Sequence, residues 1–243
     1  MQANHTVLCL DFGNTLQKAA IFTNGQQTAV QVIEPTVAAV EQLINQYQPS
    51  KALLSSVITH DVGVEELLAK KTVFHKLNHL SNLPITSPVG KPETIGADRL
   101  ALVSAAVHLF PHQHTLVIGM GSCITYNFVN KYHEFLGGSI SPGMQMRFRA
   151  MNQYTALLPM VEPENNFPLI GYDTKTNLLS GVIIGITAEI DAFITLYSQK
   201  YSNFNAVLTG GDAPYFVPRL KNKIFADPNL LFKGLYAICE KNV

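Results

Sequence analysis

The stretch LCLDFGNTLQKAAIFTNGQ, from Leu8 to Gln26, decides the fold prediction because it encodes a β-meander around a short polar turn. The first apolar run ends at Asp11-Phe12, and the small residues Gly13-Asn14-Thr15 follow directly. The second run ends at Asn24-Gly25, which favours a hairpin because a type I′ turn needs positive φ at both central residues. We therefore predict three strands: Val7–Phe12, Gln17–Thr23 and Thr28–Ile33.

A second meander follows about 108 residues later. The apolar strand Thr115–Gly119 leads into Gly121-Ser122-Cys123, which stands where Gly13-Asn14-Thr15 stood. The strand Ile124–Val129, a turn and a further strand toward Gly137-Gly138 complete the copy. The repeat predicts an α/β protein of two similar lobes, residues 1–114 and 115–243, whose first turns face one cleft.

Helical spacing is found between and after the meanders. The predicted helices are Val37–Gln48, Val62–Lys70, Ala97–Phe110, Gly181–Tyr197 and Leu230–Cys239, and the predicted further strands are Ala52–Ile58 and Asn205–Leu208. The most apolar long segment, Leu178–Tyr197, contains Glu189 and Asp191, whereas a membrane span needs about 20 residues without such charges. We therefore predict a core helix in this segment.

The composition limits the class of protein. Hydrophobic residues make up 47% of the 243 positions and charged residues 14%, which predicts a large buried core. Lys plus Arg and Asp plus Glu both number 17, and this balance disfavours nucleic-acid binding, which needs a basic face. Three widely spaced cysteines, Cys9, Cys123 and Cys239, favour free thiols in a reducing compartment. No signal peptide is visible in Met1–Thr6, and we expect a cytoplasmic protein.

The two glycine-containing turns can hold phosphates, because glycine lets the backbone approach an anion and several N–H groups converge on it. Asp11, at a strand end beside such a turn, can hold hydrated Mg²⁺, which takes one or two carboxylates plus substrate oxygens. Alternatively, Asp11 caps the turn by accepting backbone hydrogen bonds. The residues alone leave both roles open.

Asp98 and Arg99 follow Gly96 at the start of a predicted helix. Because a helix N-terminus favours an acid, Asp98 can simply compensate the helix dipole. An adjacent acid and arginine at a helix start can also bind and deprotonate a small anionic alcohol. In the second lobe, Gly210-Gly211-Asp212 follows a strand and suits the approach of a nucleotide, although glycine pairs also mark ordinary turns.

Taken in order, these motifs resemble the type III pantothenate kinases of bacteria, members of the actin-like, sugar-kinase-like ATPase superfamily. The resemblance runs over nearly the whole chain. It rests on Asp11–Thr15 with Lys18, Gly96–Arg99, Gly121–Thr125, Gly137–Gly143, Gly171–Thr174 with Ser180-Gly181, and Thr209–Asp212. The resemblance implies two lobes of the actin-like ATPase (ribonuclease H-like) fold with a central ATP cleft.

The resemblance implies transfer of the ATP γ-phosphoryl group to the primary hydroxyl of pantothenate, the first step toward coenzyme A. Asp98 would be the general base, Arg99 would help hold the pantothenate carboxylate, and Asp11 would position Mg²⁺. The implied residues for ATP and its phosphates are Gly13, Asn14, Thr15, Lys18, Gly121, Ser122, Gly210 and Gly211. The implied residues for pantothenate are Gly96, Ala97, Asp98, Arg99 and Thr174.

The resemblance also implies a homodimer whose substrate pocket lies near the subunit interface, with Thr174 supplied by the neighbour. It implies a requirement for a monovalent cation such as K⁺ or NH₄⁺. We expect neither a nucleic acid nor a membrane as a partner.

Two positions depart from the family pattern. Gly119 stands where the family usually has an aspartate, and it is the counterpart of Asp11 in the repeat, so one cleft carboxylate is missing. Pro88–Lys91 stands where a tyrosine is usual, which leaves either a lost substrate contact or its replacement by Lys91. Ser122 in place of threonine keeps the hydroxyl. Loss of a carboxylate from the metal or transition-state site predicts reduced activity.

Two alternatives to an active pantothenate kinase follow from these departures and from the shared cleft. One is a catalytically weakened relative that binds nucleotide and acts as a regulatory or accessory protein. The other is a kinase for another small hydroxy acid, which would use the same cleft.

Overall fold

A computed structural model describes residues 5–243, so most of Met1–Thr6, on which the expectation of no signal peptide rests, lies outside the described residues. The strands are β1 Thr6–Phe12, β2 Gln17–Thr23, β3 Gln26–Ile33, β4 Lys51–Ser56, β5 Val73–Lys76, β6 His114–Met120, β7 Cys123–Val129, β8 Phe135–Pro142, β9 Phe204–Thr209 and β10 Phe225–Ala226. The α-helices are α1 Val37–Tyr47, α2 Val62–Lys71, α3 Ala97–Leu109, α4 Met144–Gln153, α5 Thr174–Lys200, α6 Ala213–Phe216 and α7 Leu230–Asn242.

The strands form two sheets with the same plan. The first sheet has the order β3-β2-β1-β4-β5, and the second, read from its other edge, has the order β8-β7-β6-β9-β10. In each sheet the first strand pairs antiparallel with the next strand and parallel with a strand reached through a helical crossover. The hairpin prediction is also confirmed, because Asn24 and Gly25 both have positive φ. The two similar α/β lobes predicted from the repeat are therefore confirmed.

Helix α3 packs against the inner faces of both sheets. Its residue Ala101 belongs to a core cluster with Val7 and Cys9 of β1, whereas Val103 packs with Val117 of β6. Because side chains alternate along a strand, Asp11 and Gly119 share these inner faces with Cys9 and Val117. The repeat thus directs the ends of β1 and β6 toward the N-terminal half of one helix.

Helix α7 is the last element of the chain, yet it packs on the first sheet. Leu235 and Cys239 lie in the core cluster of β1, and α7 contacts α3, β1 and β4. The division into residues 1–114 and 115–243 stays a prediction. Helix α7 belongs to the second range in sequence but packs on the sheet of the first.

Helix α5 begins at Thr174, seven residues before the predicted start. Asp173 and Thr176 form a capping box, in which the Asp173 carboxylate accepts a hydrogen bond from the Thr176 backbone N–H at 2.7 Å. By length and composition alone α5 is apolar enough to cross a membrane. Its buried stripe, which includes Ile183 and Ile190, packs on the second sheet, as a core helix does. The absence of a membrane partner stays a prediction.

Candidate active site

The Asp11 carboxyl lies at the end of β1 on the face toward α3. Asp11 pairs with Lys18 across the hairpin and with Ser55 on the parallel strand β4. The Ser55 hydroxyl donates to Asp11 Oδ1 at 3.1 Å. Burial, followed by the charge of Asp98, raises the pKa of Asp11 to about 7, although Ser55 and Lys18 oppose the shift. A second acid therefore lies close enough to Asp11 to disfavour its ionisation.

Asp98 lies in the first turn of α3, where its side chain folds back over Gly96. A Cβ placed on Gly96 would stand 2.6 Å from Asp98 Oδ1, so a side chain at this position would force the Asp98 carboxyl to move. Burial raises the pKa of Asp98, and hydrogen bonds from the backbone N–H groups of Arg99 and of Asp98 itself oppose this effect in part. The carboxyl thus compensates the helix N-terminus and is also a half-buried acid close to Asp11.

The acid pair fits a divalent cation bound mainly through substrate. Asp11 and Asp98 are half-buried carboxyls; the charge of Asp98 raises the pKa of Asp11, and the charge of Lys18 lowers it. Among residues 5–243 no group of three or more His, Cys, Asp or Glu side chains could hold a metal alone. Mg²⁺ suits such a place, because it is usually bound through one or two carboxylates plus phosphate oxygens.

Arg99 is held from two directions beside the acids. Its Nε donates to Asn127 Oδ1 of β7 at 2.6 Å, and its guanidinium lies over the Phe135 ring, 5.5 Å from the centroid. Burial lowers the pKa of Arg99, and Asp98 opposes the shift. No hydrogen bond within residues 5–243 uses the two terminal nitrogens of Arg99, and those groups can still bind an anion.

The two predicted phosphate turns, Gly13–Thr15 and Gly121–Cys123, contact each other. The hydroxyls of Thr15 and Ser122 are hydrogen-bonded to each other, and Gln17 Nε2 donates to Gly13 O at 2.8 Å. The second turn is fixed by the start of α4, where the Gly143 N–H donates to Ser122 O at 3.0 Å. The structure therefore brings together the predicted hydroxyls of both turns.

The Gly210-Gly211 turn lies beside the second phosphate turn. Gly210 has φ +103°, and a Cβ there would stand 2.2 Å from Met120 O, at the end of β6. A Cβ added to Gly211 would have no neighbouring atom within 4 Å, which leaves open space for a ligand. The nucleotide prediction for these two glycines is compatible with this placement and stays a prediction.

A cavity of about 960 Å³ opens from the phosphate turns toward α4 and α5. Its lining includes Asn14, Thr15 and Ser122 from the turns, Arg149 of α4, and Tyr154 directly after α4. Thr174 is exposed at the first turn of α5, and no side-chain hydrogen bond joins it to Asp98 or Arg99 within residues 5–243. The place of Thr174 in the pantothenate site therefore stays a prediction.

Gly119 is enclosed by its neighbours. A Cβ at this position would stand 2.8 Å from Thr125 Oγ1 and 3.0 Å from Leu102 Cδ1. The place of the missing carboxylate is thus already filled by a hydroxyl and a leucine. At the second departure, Lys91 is exposed, and its side chain makes no hydrogen bond or ion pair within the described part of the chain.

Two site residues were missed by the sequence analysis. Ser55 follows the apolar run Ala52–Leu54, and a polar residue at a buried strand end was the available signal. Asn127 is a fully buried amide in β7, between the buried aromatic residues Tyr126 and Phe128, a pattern that also marks it. The partner of each residue depends on strand register and helix packing, which the sequence did not define.

Comparison with known sequences gives a consistent result. The sequence model described as type III pantothenate kinase matches residues 7–196. A type III pantothenate kinase of Christiangramia forsetii is 39% identical over 238 residues, covering 97% of this chain and 98% of the relative. One from Bacteroides fragilis is 39% identical over 239 residues with the same coverage.

Solved structures share the fold at low identity. A Campylobacter jejuni protein assigned to the Baf family of transcriptional activators matches with a TM-score of 0.61 at 20% identity, covering 97% of this chain and 98% of that one. A Sinorhizobium meliloti protein assigned as a 2-dehydro-3-deoxygalactonokinase matches with a TM-score of 0.59 at 11% identity, covering 96% and 97%. These likenesses concern the fold alone and agree with the predicted sugar-kinase-like architecture. By its sequence matches, the chain belongs to the type III pantothenate kinase family.

Proposed function

We propose that this protein transfers the γ-phosphoryl group of ATP to the primary hydroxyl of pantothenate, the first step toward coenzyme A. The observation that carries the proposal is the half-buried Asp98 carboxyl, which lies in the first turn of α3 close to Asp11 and has a pKa raised by desolvation. A raised pKa makes a carboxylate a stronger base toward a hydroxyl. Family membership supports pantothenate as the acceptor.

In the proposed reaction, Asp98 accepts the proton of the pantothenate hydroxyl as that oxygen attacks the γ-phosphorus. The new O–P bond forms, the bond from the γ-phosphorus to the bridging oxygen breaks, and ADP leaves with that electron pair. Positioning and charge neutralisation dominate phosphoryl transfer. The backbone N–H groups and hydroxyls of Gly13–Thr15 and Gly121–Ser122 would therefore contribute by holding the phosphates.

Asp11 would hold Mg²⁺ together with phosphate oxygens. Bound Mg²⁺ supplies neutralisation of the negative charge on the phosphates. Ser55 keeps the Asp11 carboxyl oriented through its hydrogen bond to Oδ1. Lys18 would place a positive charge near the same phosphates, as its effect on the pKa of Asp11 suggests.

Arg99 would bind the pantothenate carboxylate through its terminal nitrogens. A guanidinium presents two parallel N–H groups that match the two oxygens of a carboxylate. This contact would orient the acceptor so that its hydroxyl, at the other end, reaches Asp98.

We also propose a homodimer formed through the face around α4 and the start of α5. Large apolar side chains are exposed in this part of the chain: Tyr154 at 80%, Leu157 at 92%, Leu169 at 75%, Ile170 at 83% and Tyr172 at 82%. Such exposed apolar residues are typical of interaction surfaces rather than of free ones. The second copy would supply Thr174 to the substrate pocket.

A K⁺ or NH₄⁺ requirement and a cytoplasmic location remain expectations from the family. The cation is tested by replacing K⁺ with NH₄⁺ or Na⁺ in the assay at constant ionic strength. Activity that is equal in all three salts would contradict the requirement.

The experiment that tests the function measures ADP release by the purified protein with ATP, Mg²⁺ and K⁺, with and without pantothenate. We expect pantothenate-dependent ADP release, with 4′-phosphopantothenate identified by mass spectrometry. ATP binding without any pantothenate-dependent turnover would overturn the proposal. It would favour the second candidate, a regulatory nucleotide-binding relative, which the missing carboxylate at Gly119 motivates. A clear preference for another hydroxy acid would identify a different acceptor for the same cleft.

A further inference from the structure

Asn127 links the two lobes through a fully buried side-chain amide. Its Oδ1 accepts the hydrogen bond from Arg99 Nε at 2.6 Å. Its Nδ2 donates to Val117 O at 3.2 Å and to Thr125 Oγ1 at 3.1 Å. Arginine can only donate, so the amide has one orientation that satisfies every partner. Asn127 is therefore a fixed acceptor, attached to the second sheet, for an arginine on α3.

The hydrogen bond to Asn127 determines which groups of Arg99 stay free. Nε is occupied by Asn127, and one face of the guanidinium lies over Phe135. The two terminal nitrogens make no hydrogen bond within residues 5–243. A guanidinium held by Nε and by its face can still form a two-point contact with a carboxylate through those nitrogens.

The neutrality of the Asn127 side chain matters as much as its position. A carboxylate at position 127 would pair with Arg99 and offset its positive charge before substrate arrived. The amide instead orients the guanidinium and leaves its charge available. Thr125 Oγ1, which accepts a hydrogen bond from Asn127, lies 2.8 Å from the position of a Cβ added to Gly119. The neutral side chains of Asn127 and Thr125 thus lie next to Gly119, the position without an acid.

We propose that Asn127 is a positioning residue that prepares Arg99 for an anionic acceptor and so sets the preference for a carboxylate over a neutral substrate. The inference rests on the proposed function, because it concerns the acceptor of that same reaction. Asn127 acts through Arg99 and does not itself touch the acceptor.

The test compares kcat/KM for pantothenate with kcat/KM for its primary amide, in which the carboxylate is neutral. In Asn127→Asp the new side chain has the same shape, but its charge offsets Arg99. We expect the acid-to-amide ratio to fall at least tenfold, mainly through a higher KM for pantothenate. The KM for ATP should stay within about twofold. Asn127→Ala, which removes the orienting contact, should lower the ratio in the same direction.

Asn130 provides a matched control on the turn after β7. It is also buried, and its Nδ2 donates to Glu134 Oε2 at 2.6 Å, away from Arg99. Asn130→Ala should reduce the melting temperature while leaving the acid-to-amide ratio unchanged. If Asn127 had a purely structural role, its variants would lower kcat for both acceptors equally, and the acid-to-amide ratio would stay unchanged as in Asn130→Ala.

The possible outcomes separate the two proposals. Wild-type protein that phosphorylates pantothenate, together with an unchanged acid-to-amide ratio in both Asn127 variants, would overturn this inference alone. Wild-type protein without pantothenate-dependent turnover or pantothenate binding by calorimetry would overturn the proposed function and this inference together. If Asn127→Ala does not fold, the Asp variant of the same shape decides between the outcomes.

Discussion

The ends of β1 and β6 are equivalent positions of the repeat, yet one presents an acid and the other a glycine. Asp11 and Gly119 have the same pairing pattern, each between an antiparallel hairpin partner and a parallel strand. Asp11 is half-buried, accepts a hydrogen bond from Ser55 and lies near Asp98. Gly119 is closed in by Thr125 and Leu102. The same backbone plan therefore supports opposite side-chain chemistry at its two copies.

This difference shows how a duplicated fold divides its tasks. A buried carboxyl costs stability because its ionised form is poorly solvated, and the raised pKa of Asp11 reports that cost. The glycine at the second strand end avoids the cost and lets neutral side chains reach Arg99. In our proposal the first lobe performs the acid chemistry, and the second lobe positions the acceptor.

The largest effect should come from the acid side of this comparison, at Asp98. We expect Asp98→Asn to lower kcat by about 10²- to 10⁴-fold, the range that a general base contributes. ATP affinity, measured by calorimetry, should change little because Asp98 acts on the acceptor hydroxyl. Asp61 offers a matched control, since it is an exposed acid that caps α2 through the Gly63 N–H at 2.8 Å.

Asp61→Asn should leave kcat unchanged, because asparagine also caps helices and the residue lies outside the site. If Asp98→Asn behaved like Asp61→Asn, Asp98 would be a helix-dipole acid and not the base. The first lobe would then lack the chemistry that distinguishes it from the second.

The next effect concerns stability at the first strand end. The pKa of Asp11 rises from 3.8 to about 7 on folding, so the folded state binds the proton more tightly than the unfolded state. Ionisation of Asp11 therefore destabilises the ligand-free fold progressively as pH rises from about 4 to about 7. Asp11→Asn removes this penalty, and we expect it to be more stable than wild type above pH 7 by a few kcal/mol in order of magnitude.

Thermal unfolding without Mg²⁺ or nucleotide at pH 4 and pH 8 measures this effect. The stability difference between Asp11→Asn and wild type should be large at pH 8 and small at pH 4, while turnover is lost. A variant that is less stable than wild type at both pH values would contradict the idea that the acid is held at a cost.

The parts of the site that were predictable from sequence are those where a polar residue interrupts an apolar pattern beside a turn. Asp11, Gly13–Thr15 and Asp98 have this local signature; in the structure Asp98 lies close enough to Asp11 to raise its pKa, and Asn14 and Thr15 line the cavity. Ser55 and Asn127 have a similar signature, but the local sequence does not indicate which residue each of them contacts. Only the parallel register brings Ser55 to Asp11, and only the packing of α3 on β7 brings Asn127 to Arg99.

Two helices show a second limit of sequence patterns. Helix α4 was not predicted, although Met144, Phe148 and Met151 have helical spacing, because the segment is short and its first residue follows Gly143 without a side-chain cap. Arg147 in this helix pairs with Glu189 of α5, a contact between elements far apart in sequence. The start of α5 was placed too late because Gly181 has a low intrinsic helix propensity. Tertiary packing on the second sheet outweighs that preference.

The glycine side of the comparison can be tested by adding a side chain at position 119. We expect Gly119→Ala to destabilise the protein by about 1–3 kcal/mol, because the new Cβ would overlap Thr125 Oγ1 and Leu102 Cδ1. Thr125→Ala removes one of these two contacts. The double variant should therefore lose less stability than the sum of the single variants, as denaturant unfolding would measure.

Additive losses in this cycle would mean that Thr125 does not close the site around Gly119. Gly119→Asp is predicted to carry the same steric penalty and to gain no turnover. A rise in turnover would instead mean that the second lobe lost a working carboxylate and kept room for it.

The smallest effects should come from the two turns, where the lobes remain alike. Thr15 and Ser122 each present one hydroxyl, and these hydroxyls meet across the cleft. Loss of one hydrogen bond to a phosphate predicts a rise of about tenfold in the KM for ATP, so Thr15→Ala and Ser122→Ala should be affected to a similar extent. Steady-state kinetics at saturating pantothenate measures both variants. If only Thr15→Ala weakened ATP binding, the second turn would have lost its phosphate role together with the carboxylate at Gly119. If the two variants matched, the repeat would have diverged in its acid chemistry while keeping both turns for the same phosphates.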